Sequence, residues 1–130
     1  MSIKRFGPEG KKGAGGQSLP FSKAVEANGF LFVSGQVAME KTGEVSAGGI
    51  IPQTRKTIEN LKEILEECGY SLSDVVKVSV WLDDARDFWS FNKVYAEYFG
   101  AHPPARSTVC SSITVDAKIE MDVVAYKDKH

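Results

Sequence analysis

The sequence predicts an α+β protein in which the chain runs β-β-α-β-α-β-β and two helices cover one face of a mixed sheet. Three observations support this prediction. Two apolar runs joined by Asn-Gly come first, two helical patterns with an alternating run between them follow, and two further strand-like runs close the chain. The 130 residues suffice for one hydrophobic core and are too few for two.

The first twenty residues are predicted to form a flexible arm. Five glycines fall within residues 7–16, and four lysines and arginines fall within residues 4–12. Such a segment loses much backbone entropy on ordering and buries little apolar surface. A solvated arm is therefore preferred over an arm that binds an anionic partner. Residues 21–130 are expected to form a single domain.

A β-hairpin is expected at the start of this domain. Residues 21–27 and 30–35 are strand-like, and the Asn28–Gly29 pair between them suits a tight turn with positive φ at both positions. The second run, FLFVSG, is apolar at odd and even positions alike, so we expect it to be buried on both faces. Residues 41–44, KTGE, indicate a second, exposed turn.

The clearest helix is predicted for residues 49–68, where most charged residues fall off the apolar face. Pro52 suits the first turn of this helix, and Gly69 suits the position after its last residue. The spacing i, i+3, i+4, i+7 defines a buried face made of Ile51, Thr54, Ile58, Leu61, Leu65 and Cys68.

Residues 75–82, VVKVSVWL, predict a half-buried strand with alternating apolar positions: Val76, Val78, Val80 and Leu82. A second helix is predicted for residues 85–99, capped by Asp83 or Asp84 and ended by Gly100. This helix carries an aromatic stripe that is interpreted as core packing: Phe88, Phe91, Tyr95, Tyr98 and Phe99. The His102–Pro104 segment cannot continue the helix.

Residues 106–112 and 118–126 are predicted to be the last two strands. If they form an antiparallel hairpin with residue 110 opposite residue 120, Arg106 and Glu120 lie on one face with Cα atoms roughly 13 Å apart. An arginine binds a carboxylate through two parallel hydrogen bonds, and a glutamate can move protons to and from a bound water. The pair is therefore a candidate site for hydrolysis of a small carboxylic acid. The alternative is an ordinary cross-strand ion pair on a solvated face.

The composition argues against several other classes of protein. Sixteen basic residues against 17 acidic ones give a net charge of −1, without the basic excess of a nucleic-acid-binding domain. Two cysteines and two histidines, widely spaced, do not suggest a zinc site. A membrane-spanning run, a secretory signal and a Gly-rich phosphate loop are lacking. We therefore expect no metal, no cofactor and no membrane contact, with nucleic acid disfavoured, and a cytoplasmic location in which Cys68 and Cys110 stay reduced.

Five sequence features occur together in the order typical of one known family. They are Ser34–Gly35–Gln36, the KTGE turn, Asn92, the run PARSTV at residues 104–109, and IEMD at residues 119–122. Over residues 17–127 the chain resembles the reactive intermediate deaminase family, called RidA or YjgF. The P-A-R-S-x-V run with a downstream I-E is the specific part of this resemblance.

The resemblance implies a chorismate-mutase-like topology and a homotrimer whose sheets form a central barrel with three clefts between subunits. It also implies hydrolysis of enamines and imines, of the 2-aminoacrylate or 2-iminobutanoate type, to 2-keto acids and ammonia. The substrate would be a small-molecule carboxylate, and the reaction would use no metal or cofactor.

The same resemblance assigns roles to individual residues. Arg106 would bind the substrate carboxylate, and Glu120 would position the attacking water and relay protons, so these two are the expected catalytic residues. The expected substrate-binding residues are Arg106, Thr108, Phe21, Ser34 and Asn92. Thr108 replaces a cysteine of many members, at a position where backbone groups act. Phe21 replaces a tyrosine, so it supplies an apolar wall without the hydroxyl.

Two other functions stay open. One is a 2-aminomuconate-type deaminase in aromatic degradation, which Phe21 and the aromatic residues near the cleft would suit. The other is a non-catalytic or RNA-binding member of the family, with the basic arm as a local contact.

Overall fold

The structure, a computed structural model, describes residues 2–7 and 18–128. Within them lie β1 (Ile3–Phe6), β2 (Ala24–Ala27), β3 (Phe30–Gln36), α1 (Ile50–Glu67), β4 (Val75–Leu82), α2 (Phe88–Phe99), β5 (Ala105–Cys110) and β6 (Ile119–Tyr126). Short 3₁₀ turns at Leu72–Asp74 and Ala85–Asp87 precede β4 and α2. The α+β class is confirmed, with one more strand than predicted.

The strands form a single six-stranded sheet in the order β1-β2-β3-β6-β4-β5. β5 runs parallel to β4, and the other neighbouring pairs are antiparallel. Both helices pack on one face, and the core lies between them and the sheet. Its largest fully buried members include Leu31, Ile58, Leu61, Leu65, Phe91, Phe99, Ile119 and Met121.

The predicted hairpin of the last two strands is wrong, because β4 lies between β5 and β6. Val78 of β4 pairs with Arg106 on one side and with Val123 on the other, while Trp81 pairs with Glu120. Directly paired residues project from the same face of a sheet. Arg106 therefore shares the helix-covered face with Val78, and Glu120 lies on the opposite face with Trp81.

The first residues do not all behave as the predicted flexible arm. Strand β1 pairs antiparallel with β2, so that Phe6 lies opposite Ala24. The Lys23 N–H donates to the Phe6 carbonyl at 2.8 Å, and the Phe6 side chain packs against the core. This apolar contact and the added strand pairing offset the entropy lost on ordering. The glycine-rich segment at 8–17 lies outside the described residues.

Both predicted turns are confirmed. Asn28 and Gly29 have φ values of 53° and 85°, in the left-handed region, and β2 and β3 pair across them. In the second turn Gly43 has φ 91°, and its N–H donates to the Glu40 carbonyl at 2.9 Å. Asn and Gly tolerate these backbone angles better than other residues do, which explains why the local sequence predicts the turns.

The sheet face opposite the helices is open, and in a single chain β3 is therefore not buried on both faces as predicted. Leu31 and Val33 are buried under the helices, whereas Phe30 is 38% and Phe32 48% exposed. The Phe30 ring lies 4.8 Å from the Tyr126 ring on the same open face. Two helices cover only one side of this sheet, so its second apolar side stays uncovered in one chain.

Helix α1 lies within one residue of its predicted bounds at either end. Ile51 is 50% exposed, and Ile50 instead occupies the buried face, because it precedes Thr54 by four residues and Ile51 lies roughly 100° further around the helix. The predicted glycine ends the helix: Gly69 has φ 86°, and the Tyr70 N–H bonds back to the Leu65 carbonyl at 2.8 Å. The other predicted members of the face are buried, namely Thr54, Ile58, Leu61, Leu65 and Cys68.

Strand β4 has its predicted bounds, but the predicted alternation of buried and exposed residues fails at its start. Val76 is 46% exposed because the pairing with β6 shifts register between Val75 and Lys77, which places Val75 on the buried face. Beyond this bulge the prediction is confirmed, since Val78, Val80 and Leu82 are buried.

Helix α2 begins at Phe88 because a 3₁₀ turn precedes it, and Asp84 caps that turn by accepting the Arg86 N–H at 2.9 Å. The aromatic stripe packs in the core as predicted: Phe91, Tyr95 and Phe99 are buried, and Phe88 and Tyr98 are partly buried. Across the described ranges, no helix is both long and apolar enough to cross a membrane. Cys68 is buried and Cys110 is exposed, and neither forms a disulfide within the described residues.

Candidate active site

Arg106 lies on the edge strand β5 and extends over the aromatic face of α2. Its guanidinium carbon Cζ lies 4.6 Å from the ring centroid of Tyr95, 5.3 Å from that of Phe91 and 5.7 Å from that of Phe88. These distances fall within the range of cation–π attraction, which holds a guanidinium against a ring face. A positive charge is thus fixed at the sheet edge, where a small anion can approach it.

Asn92 supplies a second contact to the same guanidinium. Arg106 Nη1 donates a hydrogen bond to Asn92 Oδ1 over 2.8 Å. Asn92 follows Phe88 by four residues and precedes Tyr95 by three, so all three share one face of α2. The helix therefore presents one amide oxygen among ring faces, and that oxygen accounts for one of the five N–H donors of the arginine.

Thr108 lies two residues beyond Arg106 on the same face of β5, level with Val80 of β4. Its hydroxyl is buried and has no hydrogen-bond partner within the part of the chain that the structure describes. A buried hydroxyl without a partner costs free energy that a suitably placed ligand atom would recover. Arg106, Asn92 and Thr108 together are called the helix-side half-site below.

Glu120 lies on the open face of the sheet, beside Gly35 of β3. A Cβ built at Gly35 would collide with the Glu120 carboxyl oxygen Oε2. The pairing of β3 with β6 shifts register between Val33 and Gln36, which brings Gly35 under the glutamate. Residue 35 must therefore lack a side chain for the carboxyl group to take this position.

The electrostatic environment of Glu120 favours its protonated form. Burial raises the pKa of Glu120 above its ordinary value, and the negative charge of Asp122 raises it further. Burial also raises the pKa of Asp122, against a hydrogen bond from Ser79 that acts in the opposite direction. A carboxyl group whose pKa is shifted toward neutrality is suited to taking up and returning a proton.

Ser34 directly precedes Gly35 in β3, and Phe21 directly precedes Ser22, whose carbonyl Ser34 binds. The Ser34 hydroxyl donates to the Ser22 carbonyl at 2.6 Å, so its proton is used within the fold while its oxygen can still accept. Phe21 precedes β2, and 54% of it is exposed. Phe21, Ser34, Gly35 and Glu120 are called the open-face half-site below.

The two half-sites do not meet within one chain. Strand β4 lies between the strands that carry Arg106 and Glu120, and the β4 residues with which they pair are three positions apart. The two residues lie on opposite faces of the sheet, with roughly 14 Å between their Cα atoms. The predicted shared face is wrong for one chain, and this geometry also excludes the cross-strand ion pair. Among residues 2–7 and 18–128, no three His, Cys, Asp or Glu residues are placed to hold a metal ion.

The sequence patterns indicate no role at the site for Tyr95, Phe91 or Asp122. A signal for the first two was present in the spacing, because Asn92 is a polar residue within the otherwise aromatic stripe of α2. A polar side chain inside a core stripe needs a hydrogen-bond partner, and Arg106 is that partner. Asp122 carries a weaker signal, as the second acidic residue on one side of β6.

Fold and half-sites define a class: small α+β proteins with an arginine anchored at a sheet edge and a partly buried glutamate on the open sheet face. The family model described as Endoribonuclease L-PSP matches residues 15–127. The chain belongs to this family, which is the RidA/YjgF family that the sequence resembles.

Individual relatives agree with this assignment. The chain is 50% identical over 111 residues to a RutC family protein of Pyrococcus horikoshii, covering 84% of this chain and 88% of the relative. It is 38% identical over 108 residues to the Arabidopsis thaliana protein called Reactive Intermediate Deaminase A, chloroplastic, covering 82% of this chain and 58% of that one. The solved structure of yeast Mmf1 has a TM-score of 0.86 at 34% identity and covers 97% of this chain and 99% of its own.

Proposed function

We propose that the protein hydrolyses reactive enamines and imines, of the 2-aminoacrylate or 2-iminobutanoate type, to 2-keto acids and ammonia. The observation that carries this proposal is the Arg106 guanidinium, held by Asn92 at the sheet edge with further N–H donors for a carboxylate. Membership of a family that includes a protein called Reactive Intermediate Deaminase A supports it.

We further propose that the active site forms between copies of the chain in a homotrimer. Arg106 and Glu120 face opposite sides of one sheet, so a substrate can touch both only where two copies meet. The exposed Phe30 and Phe32 provide apolar surface on the open face, which such contacts would cover.

In the proposed cleft, Arg106 of one copy binds the substrate carboxylate and thereby fixes the position of the adjacent imine carbon. Such orientation can lower a barrier by several kcal/mol, with about 7–11 kcal/mol as the limit in intramolecular reactions. Glu120 of the neighbouring copy accepts a proton as water adds to the imine carbon. It returns that proton to the nitrogen, which gives a carbinolamine. Glu120 then moves the carbinolamine hydroxyl proton to the amine nitrogen, so that the C=O double bond forms as the C–N bond breaks, and ammonia and the 2-keto acid leave.

The test is ammonia release from a panel of imines generated in situ, measured for the wild type and for Arg106→Ala. Arg55→Ala is a matched control, because Arg55 also bonds an α2 residue, Glu97 at 3.0 Å, and lies over the Tyr98 ring, outside both half-sites. We expect release above the uncatalysed rate in the wild type and the control, and a much lower kcat/KM in Arg106→Ala. A wild type without acceleration on the whole panel contradicts the proposal.

A larger substrate is the second candidate, and the exposure of Phe21 favours it. With 54% of it exposed, this side chain offers apolar contact to an extended substrate. A 2-aminomuconate-type compound therefore belongs in the panel. A higher kcat/KM for this compound than for the small imines would favour the second candidate.

RNA cleavage is a third candidate, because the matching family model is described as an endoribonuclease. The net charge of −1 argues against it, since phosphate binding depends on a basic excess. The test measures RNA binding at low and at high salt. It compares the wild type with the double variant Lys11→Ser/Lys12→Ser, which removes two positive charges from the basic residues at 4–12.

A cytoplasmic location stays a prediction, because the Arabidopsis relative is described as chloroplastic.

A further inference from the structure

We propose that Tyr95 and Asn92 are positioning residues that hold the Arg106 guanidinium in one orientation before substrate binds. This inference rests on the proposed function of Arg106 as the carboxylate-binding group. Tyr95 has the shortest of the three ring contacts to Arg106, 4.6 Å, and Asn92 binds Nη1 over 2.8 Å. The ring contact is made near the central carbon of the guanidinium, and the hydrogen bond is made by one of its terminal nitrogens.

The two contacts together restrict motions that either one alone would leave free. The ring limits movement of the guanidinium away from α2, and the hydrogen bond limits its rotation. A free arginine side chain has large rotamer entropy, and ordering it before binding removes that cost from the binding step. The N–H donors that Asn92 does not use are left for a carboxylate, which can form two parallel hydrogen bonds with a guanidinium.

Tyr95 is itself immobilised by its neighbours in the core. Its ring lies 4.6 Å from the Phe99 ring and 5.5 Å from the Phe91 ring, and only 8% of the residue is exposed. Burial raises the pKa of Tyr95, and the positive charge of Arg106 opposes that shift, as expected for a cation close to the phenol. A ring held between two neighbouring rings keeps its position, so it can hold the arginine in place.

The test compares Tyr95→Leu, which removes the ring, with Tyr95→Phe, which keeps it. Loss of one cation–π contact predicts about a 3- to 30-fold fall in kcat/KM for Tyr95→Leu, mostly through a higher KM. Tyr95→Phe should keep the wild-type value. Asn92→Ala, at a half-buried position outside the core, tests the edge contact without opening a core cavity, and it too should raise KM.

Leu31→Ala is the control for damage to the core. Leu31 lies on β3, is fully buried, and is separated from β5 by β6 and β4. It takes no part in the ring contacts and the hydrogen bond of Arg106 described above. We expect its substitution to lower the melting temperature about as much as Tyr95→Leu does, with kcat/KM per folded molecule unchanged. Equal kinetic losses in the two variants would mean that Tyr95 acts only through stability.

A readout independent of activity separates this inference from the proposed function. ¹⁵N relaxation of the Arg106 Nε–H group should show an ordered side chain in the wild type and in Leu31→Ala, and a mobile one in Tyr95→Leu. An unchanged order in Tyr95→Leu overturns the inference. If Arg106 loses its order only in Tyr95→Leu and the protein hydrolyses no imine, the proposed function is refuted while the positioning role of Tyr95 is supported.

A double-mutant cycle gives the final check. If Tyr95 acts through Arg106, adding Tyr95→Leu to Arg106→Ala should lower kcat/KM no further. A full additional loss in the double variant would show that Tyr95 acts independently of the arginine, and this would overturn the inference.

Discussion

The Glu120 carboxyl group occupies the space into which any side chain at residue 35 would project, so that Gly35 and Glu120 form one structural unit across β3 and β6. The φ angle of Gly35 does not lie in the left-handed region, unlike that of several other described glycines, so its backbone does not require glycine. Its requirement is purely for space. An alanine can adopt the same backbone there, but the glutamate must then move.

Gly35→Ala is therefore expected to impair turnover more than folding. If displacement removes Glu120 as the proton-transfer group, kcat should fall by up to about 10²–10⁴-fold. Gly49→Ala is the control, because a Cβ at Gly49 meets nothing within 4 Å. Steady-state kinetics and thermal melting on the same preparations check this. Wild-type kcat in Gly35→Ala would contradict the placement of Glu120 in the reaction.

Glu120→Gln keeps the shape of the side chain and removes its ionisable group. We expect kcat to fall by about 10²–10⁴-fold with little change in KM, because the carboxylate-binding residue is untouched. Glu66→Gln, at an exposed position on α1, serves as the control. Full activity of Glu120→Gln would end the assignment of Glu120 as the catalytic acid and base.

The raised pKa of Glu120 also predicts how stability depends on pH. Burial and Asp122 disfavour the ionised form in the folded protein, so the wild type loses stability as pH rises from the ordinary value of 4.5 through the raised one. Glu120→Gln avoids this cost and should melt higher than the wild type at pH 7–8. The difference should close near pH 4, where the carboxyl group is protonated in both states. A constant difference across this range would argue against the raised pKa.

Arg106→Lys should restore little of the activity lost in Arg106→Ala. An ammonium keeps the positive charge but cannot form two parallel hydrogen bonds in one plane. We expect KM for the imine to stay near that of Arg106→Ala. Arg55→Lys, at the exposed pair with Glu97, should behave as the wild type. A KM close to the wild-type value in Arg106→Lys would mean that charge alone binds the substrate.

The open sheet face should be needed for assembly. Phe32→Glu places a charge on that face and should shift the protein from trimer to smaller species, with parallel loss of activity. Ile51→Glu is a close control, because Ile51 is 50% exposed and Phe32 48%, but it lies on α1. Sedimentation at micromolar concentration checks both variants. A stable wild-type monomer would contradict the proposed trimer and its shared cleft.

Features with a local chemical cause could be predicted from the sequence. The turn at Asn28–Gly29 and the end of α1 at Gly69 both depend on backbone angles that few residues tolerate, so the residue type indicates the conformation. The buried faces of both helices follow from spacing alone, apart from Ile51.

Strand order could not be predicted in the same way. The residue patterns of β5 and β6 fit a hairpin as well as they fit two strands separated by β4. Alternation of apolar and polar residues specifies which face a residue occupies, but not which strand lies beside it. The bulge at Val76 and the contact between Gly35 and Glu120 depend on register between distant segments. The candidate residues could thus be named from the sequence, but their division between two faces of the sheet required the structure.

Because Arg106 and Glu120 of one chain face opposite sides of its sheet, two chains that are each inactive can complement one another in the proposed trimer. Chains with Arg106→Ala still carry an intact Glu120, and chains with Glu120→Gln still carry an intact Arg106. Any trimer that contains both variants has one cleft in which an intact Arg106 meets an intact Glu120. Co-expression of the two inactive alleles should therefore restore activity that neither supplies alone, as intragenic complementation.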